Sequence, residues 1–235
     1  MTVPPLVRSF MVVGTEAGVG KTLVTAAIVQ SLCRRGVHAI AMTPAPKWIL
    51  HDDGSWHSVE LEQLASVSAF GLPARALSPC VLAGSDAWRN ARVGADPELS
   101  LEAVVDTFQI LSTWADAVAV DASVDVWHTA GVTFDSADLA RELRLPLVMV
   151  IGVRPGCIEA ALGHVQALTG RGLECAGWIA NRFDPAVAGG DRISDALRQR
   201  MPGPCLGSIP RLPRPAPADA GKAIDMHKTL MALAP

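Results

Sequence analysis

The chain has 235 residues, half of them hydrophobic and 18% charged, with a formal net charge of -3. A chain this long and this apolar buries a large core, which excludes disorder as its main state. The slight acidity argues against a nucleic-acid binder, and no apolar run reaches the ~20 residues that a membrane-spanning helix needs.

Residues 1–13 carry one arginine and two prolines and lack the apolar core of a signal peptide. The five cysteines, at 33, 80, 157, 175 and 205, form no CxxC pair and no metal-type spacing. This sets the expectation of reduced, buried thiols in a cytoplasmic protein.

In chain order, residues 9–13 form a short apolar strand, followed by a glycine-rich turn at 14–22. Leu23, Ala26, Ala27, Gln30 and Cys33 recur at helical spacing, so 23–35 reads as a helix that Gly36 ends. Residues 38–42 are a second apolar strand. A polar loop follows at 51–57, then a helix over 58–69. Residues 71–98 are punctuated by glycine and proline and resist assignment. Ser100 with Glu102 opens a helix to about 114. Then come a strand at 117–121, a helix at 136–143, a strand at 147–153 and a helix at 157–168. A strand at 176–180, a helix at 191–200 and a short strand at 206–209 complete the alternation. Residues 202–219 are proline-rich and read as a surface loop before a last helix at 223–233. The strands are solid apolar runs. The pattern predicts a single α/β domain over 1–235, with a mostly parallel sheet covered by helices on both faces.

The segment Gly14-Thr-Glu-Ala-Gly-Val-Gly-Lys-Thr22 lies between a strand and a helix, where a phosphate loop belongs. Its glycines let backbone N–H groups point at phosphates, and the helix N-terminus adds partial positive charge. Lys21 reaches the β/γ-phosphates in such a loop, and the Thr22 hydroxyl holds Mg²⁺. The match to GxxxxGK[ST] is not strict, because Thr15 stands at the first position and the glycine precedes it at Gly14.

Other chemistry-bearing residues read more plainly as structural. His51, Asp52, Asp53 and His57 lie in a polar loop without ligand spacing. Cys157 starts a helix, but no base accompanies it. His164 falls mid-helix and reads as exposed. Asp125, Trp127 and His128 follow a strand end and are explained as loop and packing residues.

The loop at 14–22 resembles the signature Gly-Thr-Asp-Thr-x-x-Gly-Lys-Thr of dethiobiotin synthetases. Three further blocks in family order carry the resemblance. Residues 148–158 (VMVIGVRPGCI) are similar to VVGVKLGCI. Residues 176–181 (AGWIAN) match AGWIAN, and 206–210 (LGSIP) match LGxIP. The resemblance implies a P-loop fold acting as a homodimer. It implies a ligase that uses ATP, Mg²⁺ and CO₂ to close the ureido ring of 7,8-diaminononanoate in biotin biosynthesis.

Carried over by residue, the resemblance implies nucleotide contacts at Glu16, Ala17, Gly18, Val19, Gly20, Lys21 and Thr22. It adds Asn181 at the adenine edge and Pro210 near the base. Thr22 and Asp121 are the implied metal ligands, Asp121 standing where the family has Glu. Gly156, Cys157, Ile158 and Glu159 correspond to the helix start that receives the substrate carboxylate in the partner subunit's site. There Glu159 replaces Asn and would repel an incoming anion. Arg154 stands where the family has Lys. The implied catalytic positions are Lys21, Thr43 and Lys47. Thr43 stands in the place of the family's Lys, Lys47 in that of its Ser, and Ala17 in that of the loop Thr. Val59 falls where a Mg²⁺-binding Asp is expected, with Glu60 beside it.

Two functions therefore remain open. One is ATP- and Mg²⁺-dependent dethiobiotin synthesis. The other is a catalytically impaired relative that binds nucleotide in a regulatory or partner role. A partitioning-type ATPase is disfavoured, since Thr15 and Glu16 occupy the region of that group's signature lysine. Asn181 alone does not separate ATP from CTP.

Overall fold

The computed structural model describes residues 6–47, 49–50, 55–79, 100–122, 134–187 and 189–235. Eight strands and eight α-helices are found among them. The strands are β1 (Phe10–Gly14), β2 (Ala39–Met42), β3 (Ile49–Leu50), β4 (Trp56–His57), β5 (Ala117–Asp121), β6 (Leu147–Gly152), β7 (Cys175–Asn181) and β8 (Cys205–Ile209). The helices are α1 (Lys21–Cys33), α2 (Val59–Val67), α3 (Leu101–Ser112), α4 (Ser136–Glu142), α5 (Cys157–Gly170), α6 (Gly190–Arg200), α7 (Pro217–Gly221) and α8 (Met226–Ala232).

Six strands make one sheet in the order β2-β5-β1-β6-β7-β8, and every pairing in it is parallel. The solid apolar strand sequences have this cause: β1, β2, β5 and β6 are buried at every position. Phe10 and Met11 are wholly buried in β1, each contributing roughly 1.5–3 kcal/mol by leaving water. In a parallel sheet all strand C-termini share one edge. The phosphate loop leaves β1 at that edge, between β5 and β6, where ligands of open α/β sheets collect.

Helix α1 is buried around most of its circumference, including Val24, Ala26, Ala27, Ile28, Val29 and Leu32. It packs on the sheet and is covered in turn by α2 and α7. Helix α2 starts at Ser58, whose side chain accepts from the backbone N–H of Leu61. Ser100 caps α3 through the N–H of Ala103.

The expected elements appear with ends shifted by a few residues, except at the C-terminus. There the expected single helix is two, and α7 begins inside the stretch read as loop. Pro217 takes the first helical turn of α7, where its missing N–H costs nothing. The break between α7 and α8 lets Ile224 form an antiparallel bridge to Gly207 of β8. The polar loop after β2 is flanked by the ribbon β3–β4; its residues 51–54 lie outside the described residues, as do 80–99.

Candidate nucleotide-binding site

At the C-terminal edge of the sheet lies a cleft of roughly 140 Å³ lined by Gly18, Gly20, Lys21, Thr22, Lys47, Glu60 and Asp121. Four segments distant in sequence meet there: the loop after β1, the chain after β2, the first turn of α2 and the end of β5.

The loop owes its shape to close backbone approaches. Gly20 adopts φ +92, and a Cβ there would fall 2.4 Å from Asn181 Nδ2. Any side chain at 20 is therefore excluded both by conformation and by space. A Cβ on Gly14 would sit 2.7 Å from Val19 Cγ2, so the loop also folds back onto its own strand. Asn181, at the end of β7, donates from Nδ2 to the Val19 carbonyl at 2.7 Å and is buried. In this structure that side chain braces the loop from behind. Pro210 follows β8 beside it and is exposed.

Lys21 is 8% exposed, and its Nζ donates to the Glu16 carbonyl at 3.2 Å. Its ammonium thus points back along the loop that would wrap phosphates. Glu16 itself is ion-paired with Arg154, from the turn after β6. Ala17 and Gly18 are exposed, while Val19 is buried and packs toward Gly152 of β6.

Thr22 and Asp121, the two metal ligands that the resemblance implies, lie side by side. The Thr22 hydroxyl donates to Asp121 Oδ2 at 2.6 Å. Asp121 Oδ1 is buried and has no hydrogen-bond partner among the described residues. Burial pushes the Asp121 carboxyl up to about 6, against the opposing hydrogen bond from Thr22; the Glu60 charge raises it further and Lys21 lowers it. An oxygen without a partner beside a hydroxyl and a second carboxylate suits a hard, oxygen-seeking cation, so these residues fit Mg²⁺.

The positions of altered residues divide. Thr43 is 1% exposed, its N–H donates to the Leu77 carbonyl at 3.0 Å, and it is not among the residues lining the cleft. Lys47 does line it. Val59 is 64% exposed and outside the lining, whereas its neighbour Glu60 is inside. One step along a helix turns a side chain by about 100°, which is how adjacent positions face different surroundings. Glu60 is the residue to which the sequence reading gave no role; its adjacency to Val59 on a capped helix start was the available signal.

Gly156, Cys157, Ile158 and Glu159 sit at the β6–α5 junction, apart from the cleft but on the same sheet edge. Gly156 has φ +81 and supplies no side-chain cap to α5. Cys157 is 4% exposed, and burial raises its thiol above the usual range, against the activation a helix start would otherwise give. Glu159 is exposed but occupied: Arg200 Nη1 donates to its Oε1 at 2.8 Å and holds its carboxyl below the usual range. The repulsion expected from Glu159 is thus offset by a neighbouring cation that only the fold supplies.

His57 bonds to Glu62 and Ser55, and His164 to the Ala160 carbonyl. Among the described residues no group of three His, Cys, Asp or Glu side chains could hold a metal. Asp125, Trp127, His128, His51, Asp52 and Asp53 lie outside the described residues.

The family described as CobQ/CobB/MinD/ParA nucleotide binding domain matches residues 10–222. An ATP-dependent dethiobiotin synthetase BioD of Aromatoleum aromaticum is 36% identical over 220 residues, covering 92% of this chain and 96% of that protein. Another, from Ralstonia nicotianae, is 35% identical over 219 residues, covering 93% and 96%. Among solved structures, the septum site-determining protein MinD of Pyrococcus horikoshii, complexed with Mg-ADP, is similar with a TM-score of 0.54. It is 17% identical, covering 96% of this chain and 92% of that one, a likeness of fold. The strand–loop–helix at 14–22 and the similarity along nearly the whole chain agree, and the chain belongs to the dethiobiotin synthetase family.

Proposed function

We infer that this chain is an ATP-dependent dethiobiotin synthetase acting on 7,8-diaminononanoate and CO₂. The observation that carries the reading is the Lys21–Thr22–Asp121 constellation in the phosphate cleft, in a chain that aligns over 92% of its length with a relative of that name. A carbamate forms between CO₂ and one amine of the substrate. Its oxygen takes the γ-phosphoryl group of ATP, releasing ADP. The second amine then attacks the carbonyl, closes the five-membered urea and expels phosphate. Catalysis of this kind is positioning and charge stabilisation.

Within that scheme the loop N–H groups of 16–22 cradle the phosphates, and Lys21 holds the β/γ-phosphates. Thr22 Oγ1 and Asp121 would hold Mg²⁺, which when bound shields charge on the terminal phosphates. Gly156 to Glu159 receive the substrate's carboxylate end. The reading takes residues 1–235 as one unit, cytoplasmic and dimeric. Among the described residues no helix is long and apolar enough to cross a membrane.

Rescue of a bacterial strain lacking its own dethiobiotin synthetase tests the function, alongside diamine- and CO₂-dependent phosphate release by the purified chain. Nucleotide binding without rescue or turnover would assign the chain a non-catalytic role. Light scattering at micromolar concentration tests the dimer, and a monomer mass would refute it.

A further inference from the structure

We propose that Lys47 is a second cation, beside Lys21, that contacts the terminal phosphate of ATP, and that Glu60 is the residue that positions it. The proposal rests on the reading of the cleft as an ATP site.

Lys47 lines the cleft together with Gly18, Gly20, Lys21 and Thr22. It arrives from a different segment of chain, the stretch leaving β2. The phosphate loop cradles the inner phosphates with its own N–H groups, and Lys21 reaches on to the β/γ-phosphates. A cation from another segment adds to Lys21 at the outermost phosphoryl group, where the transferred charge is greatest. Among the described residues no carboxylate pairs with the Lys47 ammonium.

The backbone that carries Lys47 is fixed. Its N–H donates to Glu60 Oε2 at 3.0 Å. Upstream, the Thr43 N–H is tied to the Leu77 carbonyl at 3.0 Å, and the Ser78 hydroxyl donates to the Pro44 carbonyl at 3.4 Å. Pro44 and Pro46 each lock one φ angle. A lysine on so constrained a stretch is held near its target before the nucleotide arrives, which reduces the ordering cost of contact.

A carboxylate such as Glu60 beside a triphosphate repels it. Here the carboxylate is a bracket: it stands in the first turn of α2, lines the cleft, and accepts from the backbone of the residue carrying the needed positive charge. Thr43, buried and outside the lining, does not offer that charge.

The test is equilibrium titration of the full chain with ATP and with ADP, each in Mg²⁺ and in EDTA. Lys47→Met is expected to weaken ATP at least tenfold while changing ADP less than twofold. Glu60→Ala is expected to reproduce that selective loss in both Mg²⁺ and EDTA. Glu60→Gln keeps an acceptor oxygen and should retain most of the wild-type preference. Both residues are at the surface of a helix start and a loop, so thermal unfolding of the variants should match wild type. Equal effects of Lys47→Met on ATP and ADP, or no effect, would overturn the role of Lys47. A Glu60→Ala loss confined to Mg²⁺ would make Glu60 a metal ligand and overturn its positioning role. If the unaltered chain bound neither nucleotide, the functional reading itself would fall, and this proposal with it.

Discussion

The hydroxyl of Thr22 and the carboxylate of Asp121, 99 residues apart in the chain, meet at 2.6 Å. Pairing of Val12 with Asp121 in the sheet brings the end of β5 beside the loop that leaves β1. The contact leaves Asp121 Oδ1 buried and without a hydrogen-bond partner among the described residues, so the site is built at the expense of the ligand-free protein.

Asp121→Asn should therefore stabilise the ligand-free chain above neutral pH while weakening Mg²⁺-dependent ATP binding. The sign follows from the raised folded-state pKa. The unfolded carboxyl ionises near 3.9, the folded one at about 6, so wild-type stability falls as pH rises between those values. The full difference is roughly 3 kcal/mol at most, from about two units at 1.36 kcal/mol each. Urea unfolding of both proteins from pH 4.5 to 7.5 measures it. Parallel curves for wild type and variant would contradict the argument.

Lys21→Ala should weaken ATP at least tenfold, about 1.4 kcal/mol, and should weaken ADP too. The side chain is 8% exposed and anchored to the Glu16 carbonyl, so its loss also loosens the loop. Calorimetry with both nucleotides checks this. Unchanged affinities would remove the loop at 14–22 as the binding site.

At the start of α5, Arg200 and Glu159 should have opposite effects on the diamine substrate. Arg200→Ala leaves an uncompensated carboxylate where an anionic group is to bind, and affinity should fall severalfold. Glu159→Asn should improve it, by less than the Arg200→Ala loss, because Arg200 already offsets that charge. Both groups are exposed, so raising the salt concentration should shrink both effects. Titration of the three proteins with 7,8-diaminononanoate decides it; an unchanged affinity in Arg200→Ala would place the substrate elsewhere.

Arg171 ties the end of α5 to the start of α4. Its two terminal nitrogens donate to Asp135 at 2.6 and 3.0 Å, and one donates to Asp138 at 2.8 Å. Desolvation pushes the Asp135 carboxyl up, but Arg171 and nearby backbone N–H groups outweigh it and lower the pKa. A lowered folded-state pKa gives stability that is present above the unfolded value, near 3.9, and lost as pH falls below it. Arg171→Met should cost roughly 1 kcal/mol at pH 7, since the fork geometry is good but the groups are partly exposed. The difference from wild type should be smaller at pH 3 than at pH 7. Thermal melts at the two pH values test this, and a pH-independent difference would point to lost packing by the Arg171 stem instead.

Most of the fold was legible in the sequence because its signals are local. The apolar runs at 117–121 and 147–153, each short and followed by a turn or helix signal, read as strands buried on both faces, and glycines, caps and a Gly-Lys-Thr helix start mark where the loop turns. The glycine-rich loop at 14–22 follows from the same local signals, since one contiguous segment builds it. What the sequence could not decide is which distant side chains converge on that loop. Val59 or Glu60, Thr43 or Lys47, is a question of which way a helix start and a proline-bound strand exit face. That is set by the hydrogen bond from the Lys47 N–H to Glu60 and by the burial of Thr43, whose N–H donates to the Leu77 carbonyl. The charge of Glu159 likewise looked unopposed in sequence, because Arg200 stands 41 residues away. Only the packing of α5 beside α6 brings the cation to it. Local chemistry fixed the elements and the loop; tertiary packing decided the charge balance around the cleft, because electrostatics depends on distance in space rather than along the chain.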